Sequence, residues 1–248
     1  MPKIPHRQRP KLHFMSHSEN HVAENLKRIH ERIANACQKV GREASSVDLV
    51  AVSKMQHLDS IHHAVAAGQV SFGENRPQQL LERYEALPDC HWHQIGQLQT
   101  NKVKSILPFV NMIHVLDSEK LLLEIEKRAQ AIGRDHVPCL IQVNISNEDQ
   151  KAGTSAEGAI ELIETAIKSC PRVHIEGLMG IAEDHDDVLV VGRQFAELRR
   201  VAESLYHLHS AQVSMKHLSM GMTQDFEIAI AEGSTIVRIG SAIFGARA

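Results

Sequence analysis

The stretch of sequence that decides the fold is Asp48-Leu49-Val50-Ala51-Val52-Ser53-Lys54. Its apolar centre is rich in valine and free of glycine and proline, which predicts a parallel strand buried on both faces. Alternate residues of a strand share a face, so Lys54 is expected to point the same way as Val50 and Val52. Such a lysine either extends to solvent at the strand end or uses its amine to form a Schiff base with a carbonyl compound.

Beyond this strand, the chain alternates between short apolar runs and amphipathic stretches. Further strands are predicted at 70–72, 91–95, 112–116, 139–145, 173–179, 216–219 and 235–239. Helices are predicted between them at 57–67, 77–87, 117–131, 155–169, 188–206 and 223–231. This alternation within 248 residues is typical of a single (β/α)8 TIM barrel of the α/β class. An open doubly wound sheet is the alternative, but no GxGxxG turn follows the first strand.

An additional helix is predicted before the barrel. From Ser18, a suitable N-cap, apolar residues recur at helical spacing to Val40, and Gly41 follows as a stop. Residues 1–17 are basic, contain prolines and have no periodic apolar pattern, so we expect a disordered arm there. The predicted organisation is an arm at 1–17 and one barrel domain at 18–248.

Composition narrows the class of protein. The chain is 43% hydrophobic and has a formal charge of −3, which does not favour a nucleic acid or an anionic membrane as partner. The four cysteines form no CxxC pair, and the sequence has no secretory signal and no apolar run of transmembrane length. We therefore expect reduced thiols and a cytoplasmic location.

Functional residues of a TIM barrel lie at the carboxyl ends of strands and in the loops that follow. Lys54 has this position after the first strand, and Asn75 has it after the second. Arg238 shares its face of the last predicted strand with Ile236, so its guanidinium is expected to point into the barrel. A buried guanidinium needs an acceptor, which is either a core carboxylate such as Asp48 or Glu176 or a ligand.

The loops after the last two predicted strands carry small residues and hydroxyl groups. They are Ser219-Met220-Gly221-Met222-Thr223 and Gly240-Ser241-Ala242-Ile243-Phe244-Gly245. Small residues let backbone amides approach an anion closely, and hydroxyls add hydrogen-bond donors. TIM barrels often bind phosphate at this place, so we predict that these two loops bind phosphate and that Ser219, Met220, Gly221, Gly240 and Ser241 belong to the ligand site.

These features together predict that a phosphorylated aldehyde is bound through Lys54. Pyridoxal 5'-phosphate (PLP) is the candidate, because its enzymes use a Schiff-base lysine and a protein group that faces the pyridine nitrogen. Arginine does not give up its proton, so Arg238 in that role would leave the ring nitrogen unprotonated and the ring a poorer electron sink. Such a site suits holding the cofactor, or simple proton transfers.

Several motifs follow one another along the chain. They are Ala51-Val52-Ser53-Lys54, Phe72-Gly73-Glu74-Asn75, Trp92-His93-Gln94-Ile95-Gly96, Leu98-Gln99-Thr100-Asn101-Lys102, Gln142-Val143-Asn144-Ile145, Gly177-Leu178-Met179, Leu218-Ser219-Met220-Gly221-Met222, Val237-Arg238-Ile239-Gly240 and Ile243-Phe244-Gly245. With these motifs the chain resembles the YggS/PROSC family of pyridoxal phosphate homeostasis proteins, over roughly residues 20–248.

The resemblance implies a barrel of PLP fold type III, like the amino-terminal domain of alanine racemase, and a monomer. It also implies that Lys54 carries the cofactor covalently and that Arg238 faces the pyridine nitrogen. Ser219, Gly240 and Ser241 would hold the phosphate, and Asn75 would lie beside the cofactor. The implied role is intracellular PLP homeostasis.

The chain departs from the family at the rim of the predicted site. Met55-Gln56-His57 follow the lysine where the family usually has threonine and a Lys-Pro pair, and Arg76-Pro77 follow Asn75 where an aromatic residue is common. Thr223 replaces a frequent serine and preserves its hydroxyl. The Lys54 and phosphate positions remain intact.

Two enzymatic alternatives are a weak PLP-dependent racemase and a metal-dependent barrel hydrolase. A racemase would need a second acid or base, but Tyr84 and Tyr206 both lie on predicted helices away from strand ends. A metal site is suggested by the HxH pairs at 91–93 and 207–209, but no further ligand is evident at another strand end. We therefore favour a cofactor carrier or regulator over an efficient enzyme.

The sequence also offers a candidate docking face for other proteins. Lys102, Lys104, Lys151 and the basic arm would form it, and apo-enzymes that need PLP would be its partners. Solvated lysines are the ordinary alternative.

Overall fold

A computed structural model of the protein describes residues 17–146 and 152–245. The predicted arm, up to residue 16, and Lys151 of the candidate docking face lie outside the described residues. The strands of the described chain are β1 (Asp48–Val52), β2 (Ser71–Glu74), β3 (His91–Gln94), β4 (Met112–Leu116), β5 (Val137–Gln142), β6 (Val173–Met179), β7 (Val213–Ser219) and β8 (Ile236–Ile239). They pair in sequence order as a closed barrel, which confirms the predicted TIM barrel.

Helices separate the strands and surround the barrel. They are α1 (His17–Lys39), α2 (Leu58–Ala66), α3 (Pro77–Ala86), α4 (Val103–Ile106), α5 (Glu119–Ile132), α6 (Ala156–Ser169), α7 (Val188–Ser204), α8 (Phe226–Ala231) and α9 (Ser241–Phe244). Helix α1 confirms the predicted helix before the barrel. Among the described helices, none combines the length and apolar character that a bilayer crossing requires.

Strand β1 is buried from Leu49 to Val52, because it pairs in parallel with β2 on one side and with β8 on the other. In this register Val50 lies opposite Arg238. The predicted strand extended to Lys54, whereas β1 ends at Val52 and Lys54 lies in the following turn. The left-handed backbone of Met55, with φ of 61°, ends the extended conformation.

Strands β5 and β7 begin two and three residues before their predicted starts. The predicted strand began after Pro138, whereas β5 begins at Val137 and includes this proline. A proline is tolerated near the start of a strand. Strand β7 begins at Val213, where Ser214 and Lys216 interrupt the apolar pattern that a prediction requires. Helices α4 and α9 have four residues each, too few for a periodic pattern to reveal them.

Helix α1 runs antiparallel to the strands and covers the junction of β8 with β1. Near its start, Asn25 donates a hydrogen bond to the carbonyl of Ile243 at 2.8 Å. Beyond its other end, Arg42 donates to the carbonyl of Ser234, just before β8, at 2.8 Å. Because Ile243 follows β8, the amino-terminal half of α1 lies at the carboxyl end of the barrel.

Candidate functional site

A cavity of about 780 Å³ lies at the carboxyl ends of the strands. Lys54, Arg238, Gly240 and Ser241 are part of its wall. Thr223, from the loop after β7, lines it as well. The barrel thus brings the turn after β1 next to the loops after β7 and β8. The other predicted site residues, Asn75, Ser219, Met220 and Gly221, are not part of the wall.

A buried carboxylate lies behind the turn that carries Lys54. Oε1 of Glu74 accepts a hydrogen bond from the hydroxyl of Ser53 at 2.8 Å and lies 3.9 Å from Nε of Arg83. Burial raises the pKa of Glu74, while the Ser53 hydrogen bond and the charges of Arg83 and Lys54 act against this rise. Arg83 also donates to the carbonyl of Gln56 at 2.6 Å. Arg83 therefore connects α3 to Gln56 directly and to Ser53 through Glu74, on the two sides of Lys54.

Sequence reasoning did not assign a role to this carboxylate. The motif Phe72-Gly73-Glu74-Asn75 includes this glutamate, and a serine near the end of one predicted strand with a glutamate just after the next was a usable signal. Lys54 itself forms no ion pair with a carboxylate within the described ranges. In these ranges its amine is therefore not committed to a salt bridge.

Arg238 points into the barrel, as predicted, and is 4% exposed. Nη1 donates to the hydroxyl of Ser219 at 2.6 Å, and Nη2 donates to the carbonyl of Gly180 at 3.0 Å. Burial lowers the pKa of Arg238 to about 10, and the charge of Asp225 opposes this shift. The guanidinium therefore remains a cation at neutral pH.

The structure contradicts the alternative in which a core carboxylate neutralises Arg238. Asp48 is exposed at the opposite end of β1. Glu176 pairs instead with His136, at 3.0 Å between Oε1 and Nε2. Within the described parts of the chain, Arg238 forms no ion pair. A buried cation beside a cavity favours a ligand that brings an acceptor.

The Ser219 hydroxyl hydrogen bonds to Arg238 and does not line the cavity. Its side chain is fully buried, and Oγ also hydrogen bonds to Nδ1 of His114 at 2.9 Å. Nε2 of His114 in turn hydrogen bonds to Nδ1 of His93 at 2.9 Å. Burial lowers the pKa of His93 to about 3 and that of His114 well below its usual range, so both imidazoles are neutral.

The HxH pairs do not assemble into a metal centre in the described ranges. His93 is bonded to His114, and Nδ1 of His207 hydrogen bonds to the carbonyl of Ser204 at 2.8 Å. No group of three or more histidine, cysteine or acidic side chains within 17–146 and 152–245 is arranged to hold a metal ion. The geometry therefore gives the hydrolase alternative no support in these ranges.

The loops after β7 and β8 meet at the cavity. Their hydroxyls, Thr223 Oγ1 and Ser241 Oγ, are 3.2 Å apart. A side chain at Gly240 would place Cβ 3.2 Å from the carbonyl oxygen of Val52, so glycine permits the close approach of this loop to β1. Gly221 has φ of 94°, and a Cβ there would lie 2.6 Å from the Ala229 side chain. Two hydroxyls and a compact backbone suit a phosphate group.

Two other predicted site residues, Met220 after β7 and Asn75 after β2, lie outside the cavity wall. Met220 is fully buried, and its N–H donates to the carbonyl of Ile236 at 3.1 Å. Asn75 is half-buried after β2, and its carbonyl accepts a hydrogen bond from Nε2 of Gln94 at 3.0 Å. Both residues hold neighbouring segments in place.

Acidic side chains also line the cavity, and the sequence analysis did not single them out. They come from the loop after β6 and from the loop before α8, and are Glu183, Asp184, Asp186 and Asp225.

The donor set of the cavity fits PLP. The Lys54 amine can react with an aldehyde, and the two hydroxyls can donate to phosphate. The guanidinium can donate to the lone pair of a ring nitrogen. The volume of about 780 Å³ lies within the usual range of small-molecule sites, which is about 300–1,000 Å³.

Comparisons with known proteins agree with the fold and the motifs. The family model described as the amino-terminal domain of alanine racemase matches residues 24–248. A protein of Aquifex aeolicus named pyridoxal phosphate homeostasis protein is 42% identical over 233 residues, covering 91% of this chain and 98% of that protein.

Solved structures extend the comparison. PipY of Synechococcus elongatus, solved with PLP bound, has a TM-score of 0.76 and 32% identity, covering 90% of this chain and all of that one. Alanine racemase of Streptomyces lavendulae has a TM-score of 0.69 and 15% identity over 92% of this chain and 57% of that one, a likeness of fold alone. The predicted alanine racemase-like barrel is therefore confirmed.

Proposed function

This chain belongs to the family of pyridoxal phosphate homeostasis proteins, and we propose that it binds PLP and serves the intracellular homeostasis of this cofactor. The observation that carries the proposal is that Lys54, Arg238 and Ser241 line the same cavity. The PLP-bound structure of PipY, at 32% identity, supports the assignment.

Each group of the cavity has a proposed role. The Lys54 amine holds the cofactor covalently, and Arg238 donates to the pyridine nitrogen. Ser241, the backbone around Gly240 and the Thr223 hydroxyl bind the phosphate. When bound, PLP supplies an aldehyde that reacts with amines.

The predicted residues that do not line the cavity have supporting roles in this proposal. Met220 and Gly221 shape the loop after β7, and Asn75, whose carbonyl accepts a hydrogen bond from Gln94, supports the segment after β2. Ser219, which the sequence analysis assigned to phosphate, is proposed to hold Arg238.

A carrier or regulator is favoured over a racemase. Arg238 is a permanent donor, so it keeps the ring nitrogen unprotonated. Neither tyrosine lines the cavity: Tyr84 stacks on Phe109, with ring centroids 4.1 Å apart, and Tyr206 is 65% exposed beyond α7. No tyrosine of the chain is therefore available as a second acid or base.

We also propose that the protein works in the cytoplasm as a monomer and that apo-enzymes that need PLP are its partners. The four cysteines, Cys37, Cys90, Cys139 and Cys170, are unpaired and buried, in keeping with a reducing compartment.

The test is chemical labelling of the lysine. Purified protein incubated with PLP should gain a visible absorption band, and borohydride should fix the cofactor to the peptide that contains Lys54. Lys54→Ala should lose both signals while keeping its circular dichroism spectrum, and the exposed Lys104→Ala should keep them. A label on another lysine, or no uptake of PLP, would refute the proposal.

A further inference from the structure

A row of hydrogen-bonded polar side chains crosses the interior of the barrel beneath the cavity. It runs from Arg238 to Ser219 at 2.6 Å, from Ser219 to His114 at 2.9 Å and from His114 to His93 at 2.9 Å. These residues lie on β8, β7, β4 and β3, and the bond between β7 and β4 spans strands that are not neighbours. Apolar branched side chains usually fill this space, so the polar row requires a reason.

The row has a direction, which follows from the chemistry of arginine. A guanidinium can only donate, so Ser219 Oγ accepts from Arg238. Ser219 is fully buried, and its hydroxyl hydrogen bonds in the described chain to Arg238 and His114. Because this hydroxyl accepts from Arg238, it donates its hydrogen to Nδ1 of His114. His114 then carries its own proton on Nε2 and donates to His93. Each member of the row therefore donates its hydrogen bond to the next one, from Arg238 through Ser219 and His114 to His93.

We propose that His114, backed by His93, is a positioning residue of the cofactor site. Through Ser219 it fixes the guanidinium of Arg238 that meets the ring nitrogen of PLP. This inference rests on the proposed function. Without the Ser219 bond, the described contacts leave the guanidinium with the carbonyl of Gly180 as its hydrogen-bond partner.

The neutral state of the imidazoles fits this role. A protonated His114 could not accept a hydrogen bond from the Ser219 hydroxyl and would place a second positive charge near Arg238. Burial and the charge of Arg238 both lower the pKa of His114. The row therefore keeps its direction at neutral pH.

Two variants of His114 separate its two bonds. The amide in His114→Asn lies near the position of Nδ1 and can keep the contact with Ser219. The amide in His114→Gln reaches toward the position of Nε2, so it can keep the contact with His93 but loses Ser219. The affinity of each protein is measured for PLP and for the PLP analogue with carbon in place of the ring nitrogen.

Wild type and His114→Asn should bind PLP more tightly than the carbon analogue. The preference should fall about tenfold in His114→Gln, which is the size expected for one buried hydrogen bond to a charged group. Ser219→Ala should lose the preference as well, which provides a second variant if His114→Gln does not fold. Met112→Leu, on the same face of β4, is the control and should keep it.

A merely structural role for His114 would weaken both ligands equally and leave their ratio unchanged. That result in both His114→Gln and Ser219→Ala would overturn the inference while the proposed function stands. A wild-type protein that binds both ligands equally would overturn it too. If the wild type binds neither ligand, the proposed function fails and the inference fails with it.

Discussion

At the scale of single residues, backbone strain lies next to the proposed cofactor lysine. Met55 is the one non-glycine residue with positive φ in the described ranges, and its side chain is 67% exposed. The left-handed conformation costs about 1–2 kcal/mol for a residue with a Cβ. The N–H of Gln56 donates to the carbonyl of Ser53 at 3.1 Å and closes the turn. This turn directs Lys54 to the cavity.

We expect Met55→Gly to raise the free energy of unfolding by about 0.5–1 kcal/mol, because glycine adopts this conformation without strain but has more freedom when unfolded. Urea denaturation of the apoprotein measures the change. Met55→Ala removes the same exposed side chain and keeps the strain, so it should differ from wild type by less than about 0.5 kcal/mol. A glycine variant less stable than the alanine variant would contradict the argument.

At the scale of elements, the approach of β6 to β7 positions the partners of Arg238. Gly177 in β6 has φ of 149°, and a Cβ there would lie 1.9 Å from the carbonyl oxygen of His217 in β7. The two strands shift register at this place. Just beyond it, the N–H of Gly180 donates to the carbonyl of Ser219 at 3.1 Å. The two acceptors of Arg238 are therefore adjacent because Gly177 lets the strands meet.

Gly177→Ala should destabilise the protein by about 3 kcal/mol, because backbone atoms of β7 must move to admit the methyl group. It should also weaken PLP binding. The matched control is Gly192→Ala inside α7, where the nearest heavy atom to the new Cβ is 3.6 Å away. This control should be more stable than wild type by about 0.5–1 kcal/mol. Thermal and urea unfolding compare the two variants, and equal effects would refute the explanation.

At the scale of the whole molecule, the barrel encloses imidazoles that resist protonation. Burial is the largest cause that lowers the pKa of His93, His114 and His217. Glu74 is the opposite case, since burial raises the pKa of its carboxyl group. The stability of the fold should therefore depend on pH through interior groups.

The apoprotein should lose stability as the pH falls below about 6.5, the ordinary pKa of histidine. In that range the unfolded chain binds protons that folded His93 and His114 do not, so each can cost up to about 1.4 kcal/mol per pH unit. This loss continues toward pH 3 for His93, whose folded pKa is about 3. Glu74 has the opposite sign, because its raised folded pKa favours the folded state at low pH, and it offsets part of the loss.

Urea unfolding at pH 7.0 and at pH 5.5 tests this dependence. Replacement of the exposed His30 by glutamine is the control, and its difference between the two pH values should equal that of wild type. Equal free energies of unfolding at both pH values in the wild type would contradict the expectation.

The sequence by itself determined the barrel, the helix before it and the inward direction of Arg238. These features follow from local pattern: apolar runs and helical spacing fix the elements, and alternation along a strand fixes the face of a side chain. The motif strings also carried the family resemblance. Short helices such as α9 and the start of β7 were missed, because four residues or an interrupted pattern give no periodic signal.

Only the tertiary structure decided what the polar side chains bind. Ser219 belongs to a sequence motif that suits phosphate, yet it ends β7 and its hydroxyl is engaged by Arg238 and His114. The turn after β1 is held by Glu74 and Arg83, which come from the next strand and helix. Such partners are set by the register and closure of the barrel. No local pattern encodes them, because each hydrogen bond joins residues that are distant along the chain and meet only after the strands have paired.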